Sequence, residues 1–437
     1  MAEIIPFRGI RFNLNIIDNL SELITPPYDV INEQNQKLFY EKNPYNIIRL
    51  EYGQTFAEDN EENNVYTRAA SEFNRWIEEE ILIRDKQPSL YLYELGFSLG
   101  GKEYVRKGFF ACVKLEEFKK RVVLPHEETL SKPKEDRLKL LRTCKTNFSP
   151  IFGLYDDKNF IVEEIFKTVQ DKPDLNFRDE EGNTHKIWVV SESSTIERIK
   201  NLLKNLQIFI ADGHHRYETA LEFSREMKQK GFSGYNFVLM GLVNLHNPGL
   251  IVLPTNRLVK NLKNFKLQNF LEKLGQDFNI TEFPFNRETR EKVFQKLLEL
   301  LKERGLNNHA YGLYGGNNCF YLITLKNKDA MDRINMPHSK DWKNLDVSVL
   351  QVLIMEKHLD IGGIQREQET HLTYTREEIF ALESVDSGSH QLAFFLNPTK
   401  VEEVTRVAGG GERMPQKSTF FHPKLVTGLV INPLPEV

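Results

Sequence analysis

Apolar residues along this chain recur at helical spacing in some stretches and alternate in others, so it reads as interleaved helices and strands. Over residues 65–81, Ala69, Phe73, Trp76 and Ile77 fall on one helical face. Residues 91–97 and 106–115 alternate as strands, with Leu99, Gly100 and Gly101 turning between them. A short strand at 122–125 leads to a helix that Ser131 can cap. That helix enters through Pro133, carries Glu135 and Asp136 in its first turn, and runs to Cys144 with Leu138 and Leu141 on one side. Residues 150–155 return as a strand. The charged stretch 156–204 holds a strand at 186–190, and a helix follows at 195–206. The apolar strand 208–210 precedes a helix to residue 230, with Tyr217, Ala220, Leu221 and Met227 inward, and then strands at 235–244 and 249–253. Beyond Pro254, helical spacing dominates 261–304, with a strand-like break near 279–283. A hairpin at 310–314 and 319–325, a helix at 347–359, a strand at 391–396, a helix at 400–407 and a final strand at 425–431 complete the pattern. Strands alternating with helices predict an α/β or α+β fold.

At 437 residues the chain exceeds one ordinary core, so two or three domains are expected. Thirty Phe and fifteen Tyr supply large side chains for burial. A net charge of -4 lacks the basic surplus of a nucleic-acid binder, so no nucleic-acid partner is expected. Cys112, Cys144 and Cys319 are far apart and form no C-x-x-C pair, which suits a reducing compartment and argues against a thiolate metal site. No long apolar run marks a leader or a membrane span, so the cytoplasm is the expected location.

The sharpest chemical signal is IFIADGHHRYETAL, residues 208–221. A buried strand ends, Asp212 and Gly213 make the turn, and a helix opens at about His214. The first amides of a helix have no carbonyl within it to bond and sit at the positive end of its dipole, which prepares an anion site. Gly213 lets a phosphate approach the backbone, His214, His215 and Arg216 add donors, and Asp212 could hold a metal ion or orient a histidine. The plainer reading is a solvated helix start. A second signal, LPHEETLSKPKEDRLKLLRT, places His126, Glu127 and Glu128 between a strand and a helix, where a carboxylate can serve as general base or coordinate magnesium. It lacks the second histidine of H-E-x-x-H. A third, GGGERMPQKSTFF, gathers Lys417, Ser418 and Thr419 after three glycines, but Gln416 replaces the second glycine of a P-loop. The cluster is read either as a loop that closes over the Asp212–Arg216 turn or as a solvated surface turn. TPPYDVI and NPYNIIRLE, at 25–31 and 43–51, read as structural turns, and His338, His358, His371 and His390 as structural or surface residues.

Taken in order, TPPYDVI, NPYNIIRLE, PHEETLSKPKEDRLKLLR, NFSPIFGLY, IADGHHRYETAL, LDVSVL and GERMPQKSTFFHPKLVTGLVI resemble the prokaryotic family called domain of unknown function 1015, across nearly the whole chain. Asn256 stands where a histidine is expected before Arg257, and Phe421 with His422 replaces an aromatic pair. The order PHE, helix, PI-strand, DGHHR, helix is also similar to the ParB/sulfiredoxin fold, and within it to the free-serine kinases. That resemblance implies a nucleotide-binding core at 90–259 with an insertion at 156–207, an N-terminal α+β segment at 1–89 and a C-terminal α/β domain at 260–437. It implies phosphoryl transfer from ATP or ADP with Mg²⁺ to free L-serine or a similar small hydroxy amino acid. Glu127, with His126 and Asp212, would be catalytic, and Gly213, His214, His215, Arg216, Lys417, Ser418 and Thr419 would bind the nucleotide. The alternative is a non-catalytic nucleotide-binding switch of ParB type. A sulfiredoxin-like reductase would need a cysteine in the turn, and none lies between Asp212 and Arg216.

Overall fold

The computed structural model describes the chain except residues 129–130, 170–171, 364, 366, 367, 369 and 436–437, and the side chains of 131 and 132. The expected Ser131 cap therefore lies outside the described side chains. The fold is mixed α/β and divides into two compact units. One comprises Met1–Pro125, Thr129–Ile251 and Pro423–Val437, and the other His126–Glu128 and Val252–His422.

The first unit is built on a mixed sheet of nine strands among the described residues. Its order is Val123–Leu124, Ile208–Asp212, Ile151–Tyr155, Phe237–Asn244, Lys102–Lys114, Leu90–Leu99, Thr184–Val190 and Leu175–Arg178, with Ile4–Ile5 beside Lys102–Lys114. Two pairings are parallel, Ile208 opposite Val123 and Met240 opposite Ile151, and the others are antiparallel. Strand Ile208–Asp212 is buried throughout, which is why it reads as a continuous apolar run rather than an alternation. Against the sheet lie helices Ser131–Cys144, Ile161–Thr168, Ser193–Leu203 and His214–Gln229. Leu138 and Leu141 of the first and Tyr217, Ala220, Phe223 and Met227 of the last share one core with Ile151, Ile208 and Ile210. Lys134–Glu218 at 3.0 Å and Arg142–Glu226 tie these two helices together on the outside.

The second unit holds a six-stranded antiparallel sheet, in the order Phe278–Pro284, Cys319–Leu325, Ala310–Tyr314, Leu392–Phe395, Asn256–Val259 and Leu372–Thr375. Successive side chains point to opposite faces, and here both faces are covered. Tyr311, Leu313, Tyr321, Ile323 and Phe394 join one core; Leu258, Tyr314, Phe320, Leu322 and Phe395 join another on the opposite face. The helix expected at 347–359 is continuous in outline, but its middle, Leu350–Glu356, winds as a π-helix.

Three expectations are corrected. Ile77 shares the face of Ala69, Phe73 and Trp76 but is 40% exposed, being in the last full turn of a helix that stops at Glu78. The charged stretch 156–204 also hides helix Ile161–Thr168 and strand Leu175–Arg178, which are only eight and four residues long and half apolar. Residues 425–431 form no strand. Only Thr427 and Ile431 make isolated bridges, to Thr25 and Ile10, and Gly428 between them takes φ 100°, outside any strand conformation.

Gly108 sits in the longest strand, where a Cβ would run into the Leu242 carbonyl of the paired strand. Gly108→Ala should therefore destabilise the first unit by about 1–3 kcal/mol, the usual cost of overpacking. Urea denaturation followed by circular dichroism measures it, and an unchanged midpoint would contradict the close approach.

Candidate functional site

The strand–turn–helix at 208–229 is built as its residues dictate. The pairing of Ile208–Asp212 with Ile151–Tyr155 shifts register between Ile210 and Asp212, so Ala211 is an extra residue. Such a bulge re-aims the side chain after it, here the Asp212 carboxylate. Gly213 then takes φ 87° and ψ 29°, a left-handed conformation that glycine adopts without cost, and is the N-cap of helix His214–Gln229 with no side-chain cap. A Cβ at Gly213 would stand about 3.0 Å from the Arg216 guanidinium. Only glycine leaves that space open.

Arg216 is no solvated first-turn residue. Its side chain is 10% exposed and points inward. One terminal nitrogen donates to Asp212 Oδ2 at 3.0 Å, and the other to Ser149 Oγ at 2.9 Å and the Pro150 carbonyl at 2.8 Å. Its Nε–H is buried with no acceptor among the described residues. The second oxygen of Asp212 accepts from Lys424 Nζ, so one carboxylate lies between two cations. His214 is also buried, and His215 is half-buried.

The ion contacts continue inward. Ser149 Oγ donates to Glu51 Oε1 at 2.7 Å. Arg137 donates to the Glu51 carbonyl at 2.7 Å, approaches its carboxylate at 3.4 Å and pairs with Asp136. It also lies over the Tyr28 ring, 4.1 Å from the centroid. Asp136 in turn accepts from Tyr66 at 2.9 Å. Burial opposes the charge of Arg137, and Glu51 and Asp136 more than reverse it, so its pKa lies above the ordinary value. Burial likewise pushes the Tyr28 hydroxyl up, against the pull of Arg137. A cavity of about 40 Å³, room for a water molecule, lies among Glu51, Arg137, Ser149 and Arg216.

The other expected site residues belong to the second unit. Glu127 Oε1 accepts from the Lys417 backbone N–H at 2.9 Å, and its other oxygen lies 4.0 Å from His126 Nε2. His126 is fully buried, hydrogen-bonds Thr419 Oγ1 at 2.8 Å and meets the Phe421 ring edge-on. The Ser418 hydroxyl donates to the Pro415 carbonyl and is itself buried. Lys417 is exposed in a left-handed conformation, φ 56°, and its carbonyl accepts from Arg257 at 3.0 Å. Burial lowers the pKa of Arg257, against Tyr374 and Glu127. The structure thus gathers His126, Glu127, Lys417, Ser418 and Thr419 in one unit, while Asp212, Gly213, His214, His215 and Arg216 belong to the other.

Sequence reasoning missed Lys424, Ser149, Glu51 and Arg137. The signal was present, since each lies inside a segment that carried the family resemblance, but nothing local marks them as partners of Asp212 and Arg216. Among the described residues, no group of three or more His, Cys, Asp and Glu gathers to hold a metal ion. Both oxygens of Asp212 already face cations, so it does not fit the role of a magnesium ligand as arranged.

Fold and site together define a mixed α/β protein with a glycine-opened strand–helix turn fixed by buried ion pairs. The chain belongs to the family described as proteins of unknown function, DUF1015, whose model matches residues 4–348. No curated protein matches it. Among solved structures, a conserved hypothetical protein from Pyrococcus furiosus is similar at TM-score 0.34 and 13% identity, over 76% of this chain and 94% of its own. A free serine kinase mutant in complex with AMP is similar at TM-score 0.36 and 14% identity, over 72% of this chain and 87% of its own. C-terminally truncated SbnI from Staphylococcus aureus is similar at TM-score 0.34 and 10% identity, over 73% of this chain and 85% of its own.

Removing the carboxylate between Arg216 and Lys424 leaves two buried cations facing each other. Asp212→Ala should cost about 3–5 kcal/mol, the scale for breaking a buried pair from one side. Adding Lys424→Met should recover part of that loss. A double-mutant cycle by chemical denaturation tests it, and strictly additive losses would show that the two groups are not coupled.

Proposed function

We propose that this protein is a nucleotide-dependent phosphotransferase with a ParB/sulfiredoxin-like core, acting on free L-serine or a similar small hydroxy amino acid. The observation that carries the reading is the Gly213 turn. It combines a helix N-terminus with no side-chain cap, a glycine against which the Arg216 guanidinium packs, and the buried Arg216 Nε–H with no acceptor among the described residues. A buried donor without a partner calls for an explanation, and a phosphate oxygen at the turn supplies one. The helix dipole favours the same charge.

Phosphoryl transfer asks a protein mainly for positioning and charge neutralisation. In the proposed reaction the substrate hydroxyl oxygen bonds to the terminal phosphorus as the bridging P–O bond breaks. The hydroxyl proton passes to Glu127, and the nucleotide leaves one phosphate shorter. The Lys417 amide holds one oxygen of the Glu127 carboxylate for that role. Asp212 acts as a positioning residue that keeps Arg216 and Lys424 in place. Magnesium bound with nucleotide would add charge neutralisation on the phosphates.

Incubation with ATP or ADP, Mg²⁺ and a panel of hydroxy amino acids, followed by phosphorus NMR, should show a new phosphomonoester. Glu127→Gln should abolish it while leaving nucleotide affinity unchanged. Nucleotide bound but never consumed would replace the kinase with a ParB-type switch. Arg216→Ala should weaken nucleotide binding by about 1.5–3 kcal/mol, the scale of a charged hydrogen bond, and should also lower the melting temperature because Arg216 is buried. Calorimetry below that temperature separates the two effects, and equal affinity in both proteins would place the phosphate elsewhere.

A further inference from the structure

The second unit carries a cavity of about 370 Å³ that has no part in the proposed phosphoryl transfer. Its size falls within the range of small-molecule sites, roughly 300–1,000 Å³. Lys263, Lys266 and Lys273 line it, and none has a carboxylate or hydrogen-bond partner among the described residues. Among the described lining residues Asp360 is the one acidic side chain, set against three ammonium groups.

Two imidazoles complete the polar lining. The His358 side chain is 5% exposed, and its Nε2 bonds Asp277 Oδ2 at 2.8 Å. A carboxylate that also binds Lys357 can only accept, so Nε2 carries the proton and Nδ1 is left over. His371 bonds Thr370 Oγ1 through Nδ1 at 2.9 Å, which leaves Nε2. Helix Leu267–Leu274 starts at this cavity with Lys266 as N-cap and no side-chain cap. Phe265 and Leu262 provide an apolar wall. Asn261, Asn264 and Asp360, all lining residues, hold φ values of 62°, 51° and 56°, a conformation that Asn and Asp enter more readily than other non-glycine residues; Asp360 does so as the C-cap of helix Lys357–Leu359.

We propose that this cavity binds a small organic phosphate carrying at least two negative charges, with the phosphate among the three lysines and the carbon portion against Phe265. The assignment is independent of the Gly213 turn and adds a second anion site to the protein.

Hydrogen–deuterium exchange on the full chain, with sodium pyrophosphate as probe, tests it. Millimolar pyrophosphate should slow exchange in peptides covering 261–275 and 357–361, while sodium chloride at equal ionic strength should not. In the triple variant Lys263→Ala, Lys266→Ala, Lys273→Ala the pyrophosphate concentration for half-protection should rise about tenfold or more, the scale of losing a charged contact. The triple Lys→Arg variant should keep binding. Protection at 212–229 reports the Gly213 turn separately, so either site can fail alone. Unchanged exchange at 261–275, equal protection by sodium chloride, or equal affinity in a folded triple Ala variant would overturn the proposal.

Discussion

Everything at the candidate site hangs on one carboxylate. Asp212 ends a buried strand, and its two oxygens hold Arg216 and Lys424, two cations that could not otherwise share a dry interior. The bulge at Ala211 turns the carboxylate toward them, and Gly213 leaves the guanidinium its space. From Arg216 the contacts pass through Ser149 to Glu51, then to Arg137, Asp136 and Tyr66. Three cations alternate with three carboxylates along that path, so each charge finds its opposite before it meets hydrocarbon. The helix N-terminus is therefore fixed by side chains that reach it from behind, and its outer side is left to the backbone.

That path joins segments far apart along the chain, most of them inside the span 4–348 that the family model matches. The segments NPYNIIRLE, PHEETLSKPKEDRLKLLR, NFSPIFGLY, IADGHHRYETAL and GERMPQKSTFFHPKLVTGLVI contribute Glu51, Arg137, Ser149, Arg216 with Asp212, and Lys424 in turn. TPPYDVI adds Tyr28, stacked under Arg137. Segments that look like unrelated turns when met one at a time are the terminals of a single buried polar chain.

The same path separates the legible parts of the sequence from the rest. The turn itself is legible, because strand, Asp-Gly and helix are adjacent and each comes from local pattern. So are the hairpins at Gly100 and Gly316 and most helices, where period and punctuation agree. Glu51 reads only as the end of a structural turn, and Lys424 is overshadowed by the more conspicuous Lys417, because partners separated by 212 positions leave no local trace. Arg216 is recognisable as chemistry but reads as solvated; its burial depends on Ser149 and Pro150, which only the folded sheet brings up. The missed strands Asn256–Val259 and Leu372–Thr375 are short; they pair with each other, and Asn256–Val259 also pairs with Leu392–Phe395, and that pairing rather than any alternation of their own makes them strands.

The chain's return to its first unit has a consequence for synthesis. Residues of the second unit, from Val252 to His422, are made after Asp212 and Arg216 but before Lys424. A ribosome moving from N- to C-terminus thus finishes the sheet, the turn and the helix long before the second cation of the trio exists. Until then Asp212 lacks Lys424, while some 170 further residues emerge. A chain that stopped within the second unit would hold the strand, the turn and the helix but not Lys424.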